Sequence, residues 1–243
     1  MKPSTASRPH SLRAFTLVEI LIAVTLFGVA ISSTLGFYLY AMRTYQFDIG
    51  KCLVNSDFRR FTDQMVNNVT FASQIYILPS FTERTITTTY TDPITFATST
   101  VTNLNTVANS TSGDFMVLVY QDPTTTNIVR LVGYYRAEDS SMKNYGANQF
   151  PVRMFDIALD QPATTNIATL LPSTSTLNSS AHRLLFLDST GLGNPNATTS
   201  AAGIFTNING GRTVVVNGEL CNRGNNIRKK VSNKYNFTVS RRS

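Results

Sequence analysis

Glu19 is the residue whose chemistry is hardest to reconcile with its surroundings. It is the only charged side chain between Phe15 and Met42, and the 23 residues from Ile20 to Met42 carry no charge. A charged side chain at the centre of a membrane-spanning helix costs roughly 2.5–3.5 kcal/mol on insertion scales, and less near a helix end. A carboxylate kept at such a cost is predicted to be functional and to have a partner.

Catalytic chemistry has little support elsewhere in the sequence. His10 lies in the basic N-terminal stretch, and His182 is the only other histidine. The motifs of serine hydrolases, zinc peptidases and phosphate-binding loops are absent from the sequence. The acids Asp156, Asp160 and Asp188 are dispersed, and no segment has the dense Asp and Asn pattern of a calcium loop. We therefore expect no catalytic, cofactor-binding or metal-binding residues, and a protein that is not an enzyme.

The two cysteines, Cys52 and Cys221, are far apart in the sequence. They form no Cys-x-x-Cys pair, which excludes a zinc or thioredoxin-type motif. In an oxidising compartment the two residues would be able to form one disulfide. Two cysteines in a chain of 243 residues are also ordinary usage, so the disulfide is a hypothesis that stands beside two free thiols.

A cluster of basic residues follows Glu219, and Tyr235 and Phe237 are interleaved with it. Basic strips with aromatic side chains bind nucleic acid through phosphate contacts and base stacking. Charge also protects the edge of a sheet from aggregation, and an electrostatic patch alone is unspecific. We favour a solvated strand edge and keep nucleic-acid contact as the alternative for five residues: Arg223, Arg228, Lys229, Lys230 and Lys234.

The apolar segment 15–42 is long enough to cross a bilayer, because about 20 residues at 1.5 Å each span the hydrocarbon core. Three basic residues and no acid precede it, which predicts a cytoplasmic N-terminus. They are Lys2, Arg8 and Arg13. These residues supply part of the net charge of +7, so the charge as a whole does not indicate nucleic-acid binding.

Three interpretations of this segment compete. A plain membrane anchor fits its length but leaves Glu19 without a role. A cleaved secretory signal has an apolar run of only about 7–15 residues, although Gly28-Val29-Ala30 imitates the small residues at the end of such a signal. The third interpretation accounts for both the length of the segment and its carboxylate.

The residues Ala14-Phe15-Thr16-Leu17-Val18-Glu19 resemble the processing motif of type IV prepilins. Four features coincide: a basic leader, a small residue before Phe15, a glutamate at a fixed spacing and a long apolar helix. The resemblance implies that a membrane-embedded prepilin peptidase removes the leader 1–14 and that Phe15 becomes the N-methylated first residue. It also implies that Glu19 neutralises the amino group of a neighbouring subunit, which offsets much of the cost of burying both charges.

Two positions depart from the commonest family pattern. Ala14 stands where glycine is usual before the cut, and it is small enough for processing to proceed. Gly36 stands where many major pilins have a helix-kinking proline, which favours a minor pilin or pseudopilin over a bulk subunit. The segment 115–135 and the phenylalanine-rich helix also resemble J-type minor pseudopilins of type II secretion. A minor type IV pilin and an orphan pseudopilin remain equally open.

Beyond Arg43 the sequence becomes amphipathic, and we expect the helix to continue through 43–78. Apolar residues recur there at steps of three or four, which places them on one face of a helix. They are Val54, Phe58, Phe61, Met65, Val69, Ala72 and Tyr76. Pro79 is expected to end the helix. We interpret the apolar face as core packing against a globular head.

Residues 79–243 are expected to form an extracytoplasmic β-rich head. Two strands at 115–120 and 128–135 flank a polar turn. Further strands are predicted at 153–159, 183–188, 213–220 and 234–240, and the threonine-rich stretch 82–106 fits strands or a variable loop equally well. The predicted fold class is therefore α+β, with a long N-terminal helix packed on an antiparallel β-sheet head. The prepilin resemblance implies the same architecture.

These features together predict a structural subunit of a type IV pilus-like or type II secretion pseudopilus filament. The expected partners are prepilin peptidase, other pilin or pseudopilin subunits, the inner-membrane assembly machinery and the membrane itself. The chain is expected to be a single-pass protein of the bacterial inner membrane, with an extracytoplasmic head, before it enters the filament. The alternative function is a membrane-tethered binding module, with DNA as a candidate ligand, that does not polymerise.

Overall fold

The computed structural model describes residues 15–136, 152–163, 166–173, 189–190, 203–222 and 231–242. The chain divides into two compact units, the first ending at Asp48 and the second beginning at Ile49. Helix α1, Leu17–Thr70, begins in the first unit and ends in the second. A second helix in the described residues, α2, is one turn long and covers Ile167–Leu170.

Eleven strands are present in the described part of the chain, and each pairs antiparallel with its neighbours. Their bounds are β1 Gln74–Leu78, β2 Thr85–Thr91, β3 Thr98–Leu104, β4 Ser112–Gly113, β5 Phe115–Gln121, β6 Ile128–Arg136, β7 Val152–Ala163, β8 Ser189–Thr190, β9 Phe205–Ile208, β10 Thr213–Asn222 and β11 Val231–Ser240. The antiparallel sheets and the long apolar N-terminal helix confirm the predicted α+β class.

The strands form two sheets and a separate two-stranded ribbon. The first sheet has the order β1-β5-β6-β7, and the second has the order β11-β10-β9-β4, with β8 paired to β10. Strands β2 and β3 form the ribbon. A single residue, Asp114, separates β4 from β5, so the chain passes directly from the second sheet into the first.

In the second unit, the last turns of α1 pack against both sheets. Phe61, Met65 and Val69 are fully buried. The Phe61 ring lies 6.3 Å from the ring of Tyr134 on β6 and 6.0 Å from that of Tyr235 on β11. Each fully buried side chain of this size contributes about 1.5–3 kcal/mol relative to an exposed one. The apolar face of α1 is therefore core packing.

Hydrogen bonds fix the position of α1 on the first sheet. The Asn68 side chain donates to the Tyr134 hydroxyl at 2.6 Å, and the Tyr120 hydroxyl donates to the backbone carbonyl of Asn68 at 2.6 Å. Both tyrosines are amphipathic side chains that bury a ring and still satisfy a hydroxyl. The register of the helix on the sheet is thus set by polar contacts as well as by packing.

A second cluster of buried side chains covers the other face of the first sheet. It contains the aromatic residues Phe81, Phe115, Tyr135 and Phe155, and the rings of Phe81 and Tyr135 are stacked at 4.8 Å. Because both of its faces are covered, β5 is a continuous apolar run and not an alternating one. Residues 115–119 of this strand are all buried.

The predicted end of α1 is wrong. The helix ends at Thr70, and the last part of the predicted helix 43–78 is strand β1, Gln74–Leu78. Ala72 and Tyr76 continue the helical spacing, and that spacing predicts a helix there. The β-branched and aromatic side chains of this segment also suit a strand, and pairing with β5 decides between the two.

Most predicted strands are confirmed. The pair at 115–120 and 128–135 corresponds to β5 and β6, and the predictions at 153–159, 213–220 and 234–240 correspond to β7, β10 and β11. The threonine-rich stretch forms the ribbon of β2 and β3. The leader 1–14 and the predicted strand 183–188 lie outside the described residues.

Candidate functional site at the start of the apolar helix

Thr16 and Glu19 form a capping box at the start of α1. The Thr16 backbone N–H donates to Oε2 of Glu19 at 2.9 Å, and the Thr16 hydroxyl donates to the same oxygen at 3.1 Å. In return, the Glu19 backbone N–H donates to the Thr16 hydroxyl at 3.3 Å. This reciprocal arrangement satisfies backbone N–H groups that have no partner within the helix.

The capping box holds the Glu19 carboxylate against the start of the chain's helical segment. Both side-chain hydrogen bonds go to Oε2. Neither of these two hydrogen bonds uses Oε1, the other carboxylate oxygen of Glu19, which can accept a further donor. The residue next to Thr16 on the N-terminal side is Phe15, whose side chain is 81% exposed. A donor at the Phe15 position of this chain or of another copy would therefore meet an oriented carboxylate.

The sequence contained a signal for this geometry that the interpretation of Glu19 did not use. A Ser or Thr followed three residues later by Glu, just before an apolar run, is the pattern of a helix N-terminus. Thr16 and Glu19 match that pattern. Glu19 therefore has a local structural partner in addition to any partner that it acquires from another subunit.

The helix that follows is apolar around its whole circumference from Ile20 to Met42. Large apolar side chains at successive positions are more than half exposed, which places them on every side of α1. Examples are Leu17, Val18, Ile20, Leu21, Ile22, Val24, Leu26, Phe27 and Val29. A helix that is apolar all round suits a membrane span or a fully surrounded position in a bundle, and α1 is long and apolar enough to cross a membrane.

The serine and threonine hydroxyl groups within this apolar helix are satisfied by the helix itself. Four such side chains lie between Ile20 and Met42, and each donates to a backbone carbonyl three or four residues earlier at 2.8–2.9 Å. They are Thr25, Ser32, Ser33 and Thr34. In hydrocarbon an unsatisfied polar group costs several kcal/mol. These bonds allow the segment to lie in lipid without water.

The structure places the remaining predicted site residues as follows. Ala14, on the leader side of the predicted cut, lies outside the described residues, and processing at Ala14/Phe15 and N-methylation of Phe15 stay predictions. Cys52 is an exposed, free thiol on α1. Cys221 pairs with Ser232 in the register of β10 and β11, and its side chain lies outside the described part. A disulfide between the two cysteines stays a prediction.

The basic C-terminal cluster is described only in part. Lys234 lies on β11 and is exposed, and its cross-strand neighbour on β10 is the acid Glu219. Opposite charges at directly paired positions stabilise a sheet modestly. The remaining four residues of the predicted nucleic-acid contact lie outside the described residues: Arg223, Arg228, Lys229 and Lys230. Nucleic-acid contact stays a prediction.

The acids considered in the sequence do not converge on a site in the described residues. Asp156 on β7 makes a two-point ion pair with Arg130 on β6, at 2.8 and 2.6 Å. Asp188 and His182 lie outside the described residues. Among the residues that the structure describes, no three His, Cys, Asp or Glu side chains are grouped as metal ligands.

Comparisons with known proteins found no family model, no curated protein and no solved structure that matches this chain. The functional argument therefore rests on the residues and on the geometry of the helix start.

Proposed function

We propose that this chain is a prepilin-like structural subunit, a minor pilin or pseudopilin of a type IV pilus-like or type II secretion filament. One observation carries the proposal. A single carboxylate is oriented at the N-terminal turn of a helix whose segment 20–42 is apolar all round and satisfies its own serine and threonine hydroxyls. A plain anchor needs that carboxylate only as a helix cap, whereas a helix that must bind an amino group also needs its charge.

The proposed mechanism begins with cleavage by prepilin peptidase after Ala14. Cleavage creates an ammonium group at Phe15, four residues before Glu19. When the helix leaves the lipid headgroup region and enters a bundle, a carboxylate and an ammonium group each lose hydration at a cost of several kcal/mol. Pairing Glu19 of one subunit with the Phe15 amine of a neighbour offsets much of that cost. The pair also fixes the axial register between the two subunits.

The apolar surface of α1 serves two environments in succession under this proposal. In the inner membrane its exposed side chains face lipid, with the N-terminus cytoplasmic and the head extracytoplasmic. In the filament the same side chains pack against the helices of neighbouring subunits. Lipid and helix bundle are both apolar surroundings, so the transfer requires no new solvation of the helix surface apart from its charged start.

The competing explanation of Glu19 is that it only caps the helix, and three variants separate the two roles. Glu19→Gln keeps a side chain that can complete a capping box but removes the charge. Glu19→Ala removes both. Thr16→Val removes the capping hydroxyl and keeps the carboxylate. Each variant is expressed in its native cells, and its amount is measured by immunoblot in the sheared filament fraction and in the membrane fraction.

The proposal predicts that Glu19→Gln and Glu19→Ala both lower incorporation into filaments by about tenfold or more, because an unpaired buried charge costs several kcal/mol. Thr16→Val is expected to lower it by no more than about fivefold, since losing a cap costs only about 1 kcal/mol. Membrane levels of all three are expected to stay close to wild type. Equal incorporation of Glu19→Gln and wild type would contradict the pairing role and favour helix capping alone. Absence of the wild type from the filament fraction would contradict the proposal and favour a tethered, non-polymerising binding module.

A further inference from the structure

The ribbon formed by β2 and β3 turns its more polar face towards the head and its more apolar face away from it. One face is built of threonines, seven in all, together with Leu104: Thr85, Thr87, Thr89 and Thr91 on β2 and Thr98, Thr100 and Thr102 on β3. Leu104 packs against the buried cluster of the head, and Thr85 and Thr102 are half-buried. The polar face is therefore the one that turns towards the head at the base of the ribbon.

The opposite face of the ribbon is more apolar and more exposed. It carries Ile86, Tyr90 and Val101, which are 48%, 61% and 46% exposed, and these lie opposite the polar residues Asn103, Ser99 and Thr88. An ordinary surface strand turns its apolar side chains to the core and its polar side chains to water. The reversed arrangement indicates that the ribbon is completed by something other than its own head.

The outer edge of β2 is an unprotected pairing edge. The backbone N–H of Asn105 donates to the carbonyl of Arg84, and that of Asp92 donates to the carbonyl of Ala97, both at 3.0 Å. Even-numbered positions of β2 therefore bond to β3, and the N–H and C=O groups of the odd-numbered positions point outwards. No described strand pairs with this edge.

Natural proteins usually block a free edge with charge, proline, a bulge or a covering element. Strand β2, with the sequence Thr-Ile-Thr-Thr-Thr-Tyr-Thr, has no charge and no proline. Its pairing with β3 runs without a register shift. The other edge of the ribbon is different, because the Asn166 side chain donates to the Thr102 carbonyl on β3 at 3.0 Å. The unblocked edge is the one on β2.

We propose that β2 pairs antiparallel with β2 of a second copy of this chain, about a two-fold axis at Thr88. In this register the outward-pointing N–H and C=O groups of the two strands form hydrogen bonds with each other. Thr85 of one copy pairs with Thr91 of the other, and Thr87 pairs with Thr89. On the apolar face it sets Ile86 directly opposite Tyr90 of the other copy, twice. Aromatic and β-branched residues are favourable cross-strand pairs. The strand is thus complementary to itself.

The charges at the two ends of β2 fit the same register. Arg84 and Asp92 flank the strand, and the two-fold axis at Thr88 sets Arg84 of one copy across from Asp92 of the other. In the single chain, Nη1 of Arg84 is buried and has no hydrogen-bond partner among the described residues. The Asp92 carboxylate is exposed and uses Oδ1 to accept the N–H of Ile94 at 2.8 Å. Both groups gain an opposite charge in the dimer.

The contact belongs to the membrane pool of subunits and not to the filament shaft. A two-fold contact closes on itself, whereas a helical filament repeats head-to-tail contacts. A seven-residue strand edge is also small against the roughly 1,200–2,000 Å² that a stable interface buries. Two copies held in one membrane have a raised effective concentration, which is where such a small contact is effective.

Disulfide trapping in membranes tests the proposal on the full chain, with Cys52 and Cys221 replaced by serine. Thr88→Cys places two thiols at the axis, in a pair whose Cα atoms are about 4.5 Å apart, within the range for a disulfide. Thr87→Cys is the matched control, because its own copy lies diagonally across at about 7 Å. Mild oxidation is followed by non-reducing electrophoresis. Thr88→Cys is expected to give at least fivefold more covalent dimer than Thr87→Cys.

A pair of proline variants tests which edge is used. Thr89→Pro removes an outward N–H from β2, whereas Thr100→Pro removes one from the other edge of the ribbon, at the position paired with Thr89. In the Thr88→Cys background, only Thr89→Pro is expected to abolish the dimer. Equal dimer from Thr88→Cys and Thr87→Cys, no dimer at all, or equal effects of the two prolines would overturn the proposal. Glu19→Ala is expected to leave the cross-link unchanged, which separates this contact from filament assembly.

Discussion

At the residue scale, two Arg–Asp ion pairs of the head have similar distances but differ in how far they are buried. Arg136 and Asp114 meet at 2.5 Å, with side chains only 4% and 19% exposed. Asp114 also accepts the backbone N–H of Ile204 at 3.1 Å and lies between the two sheets. Arg130 and Asp156 meet at 2.6 Å, with side chains 40% and 39% exposed. The depth of each pair decides what its loss costs.

Asp114→Ala is expected to lower the free energy of unfolding by about 3 kcal/mol, because it removes the carboxylate that faces a buried guanidinium. Asp156→Ala is the matched control and is expected to cost less than about 1 kcal/mol, as exposed pairs do. Urea unfolding of the full chain in detergent, followed by circular dichroism, measures both values. Equal losses for the two variants would show that Asp114 does not join the sheets as described.

Single residues were predicted from the sequence only where their surroundings were local. Glu19 was recognised because a lone charge in an apolar run is visible without a structure, and its bond to Thr16 was also encoded at a spacing of three. The partners of Asp114 were not, because Arg136 and Ile204 lie 22 and 90 residues away. Contacts of that kind depend on which strands pair, and local sequence patterns do not show this.

At the element scale, β6 buries two adjacent tyrosines on opposite faces of the first sheet. Tyr134 packs against Phe61 of α1, and Tyr135 stacks on Phe81 in the second cluster. Burial raises the pKa of Tyr135 to about 12, and Arg153 partly opposes that rise. Burial also raises the pKa of Tyr134, although the hydrogen bond from Asn68 lowers it in part.

This burial predicts a loss of stability in alkali. An unfolded tyrosine ionises near pH 10, whereas Tyr135 in the folded head stays neutral until about pH 12. The stability due to the raised pKa is present below pH 10 and is lost as the pH rises towards 12, by up to about 1.4 kcal/mol per pH unit for each tyrosine. Urea unfolding between pH 9 and 12 measures the slope.

Tyr135→Phe supplies the control for this prediction. The variant lacks the ionisable group, so its stability is expected to fall less steeply with pH than that of the wild type. Its absolute stability at neutral pH is expected to be somewhat lower, because the hydroxyl that bonds to Arg153 is gone. Identical slopes for the variant and the wild type would contradict the assigned burial of Tyr135.

Strand β1 and the ribbon of β2 and β3 differ in how far the sequence predicts them. Strand β1 was assigned to the helix because its residues continued the helical spacing, and only its pairing with β5 excludes that. The ribbon, in contrast, was predictable. Its turn begins with Asp92-Pro93, the turn between β5 and β6 begins with Asp122-Pro123, and each Asp accepts the backbone N–H two residues later. The repeated turn signals a second hairpin.

At the scale of the whole molecule, the two units differ in the surroundings that they suit. In the first unit, residues 20–42 of α1 form an exposed apolar helix, and the second unit has buried cores and a largely polar ribbon. Composition and charge predicted this division, because apolar runs and basic flanks act over many residues. The order of strands within the head was not predicted, since it depends on contacts between distant segments.

Cys52 is a natural probe of the predicted topology. It is an exposed free thiol on α1, beyond the apolar segment 15–42. In intact spheroplasts of a Cys221→Ser strain, a membrane-impermeant maleimide is expected to label it without prior reduction. For the predicted leader, His10→Cys is tested in a chain without Cys52 and Cys221, in cells that lack the prepilin peptidase. The thiol at position 10 is expected to react only after permeabilisation. Labelling of the leader position in intact spheroplasts would reverse the topology.

The intact mass of the membrane-extracted protein decides whether the chain is processed as a prepilin, as we propose. We expect a single main species that begins at Phe15 and carries one additional methyl group, with residues 1–14 removed. A species that begins near Ile31 would identify a cleaved secretory signal, and an unprocessed chain beginning at Met1 would identify a plain anchor. Either result would contradict the proposal.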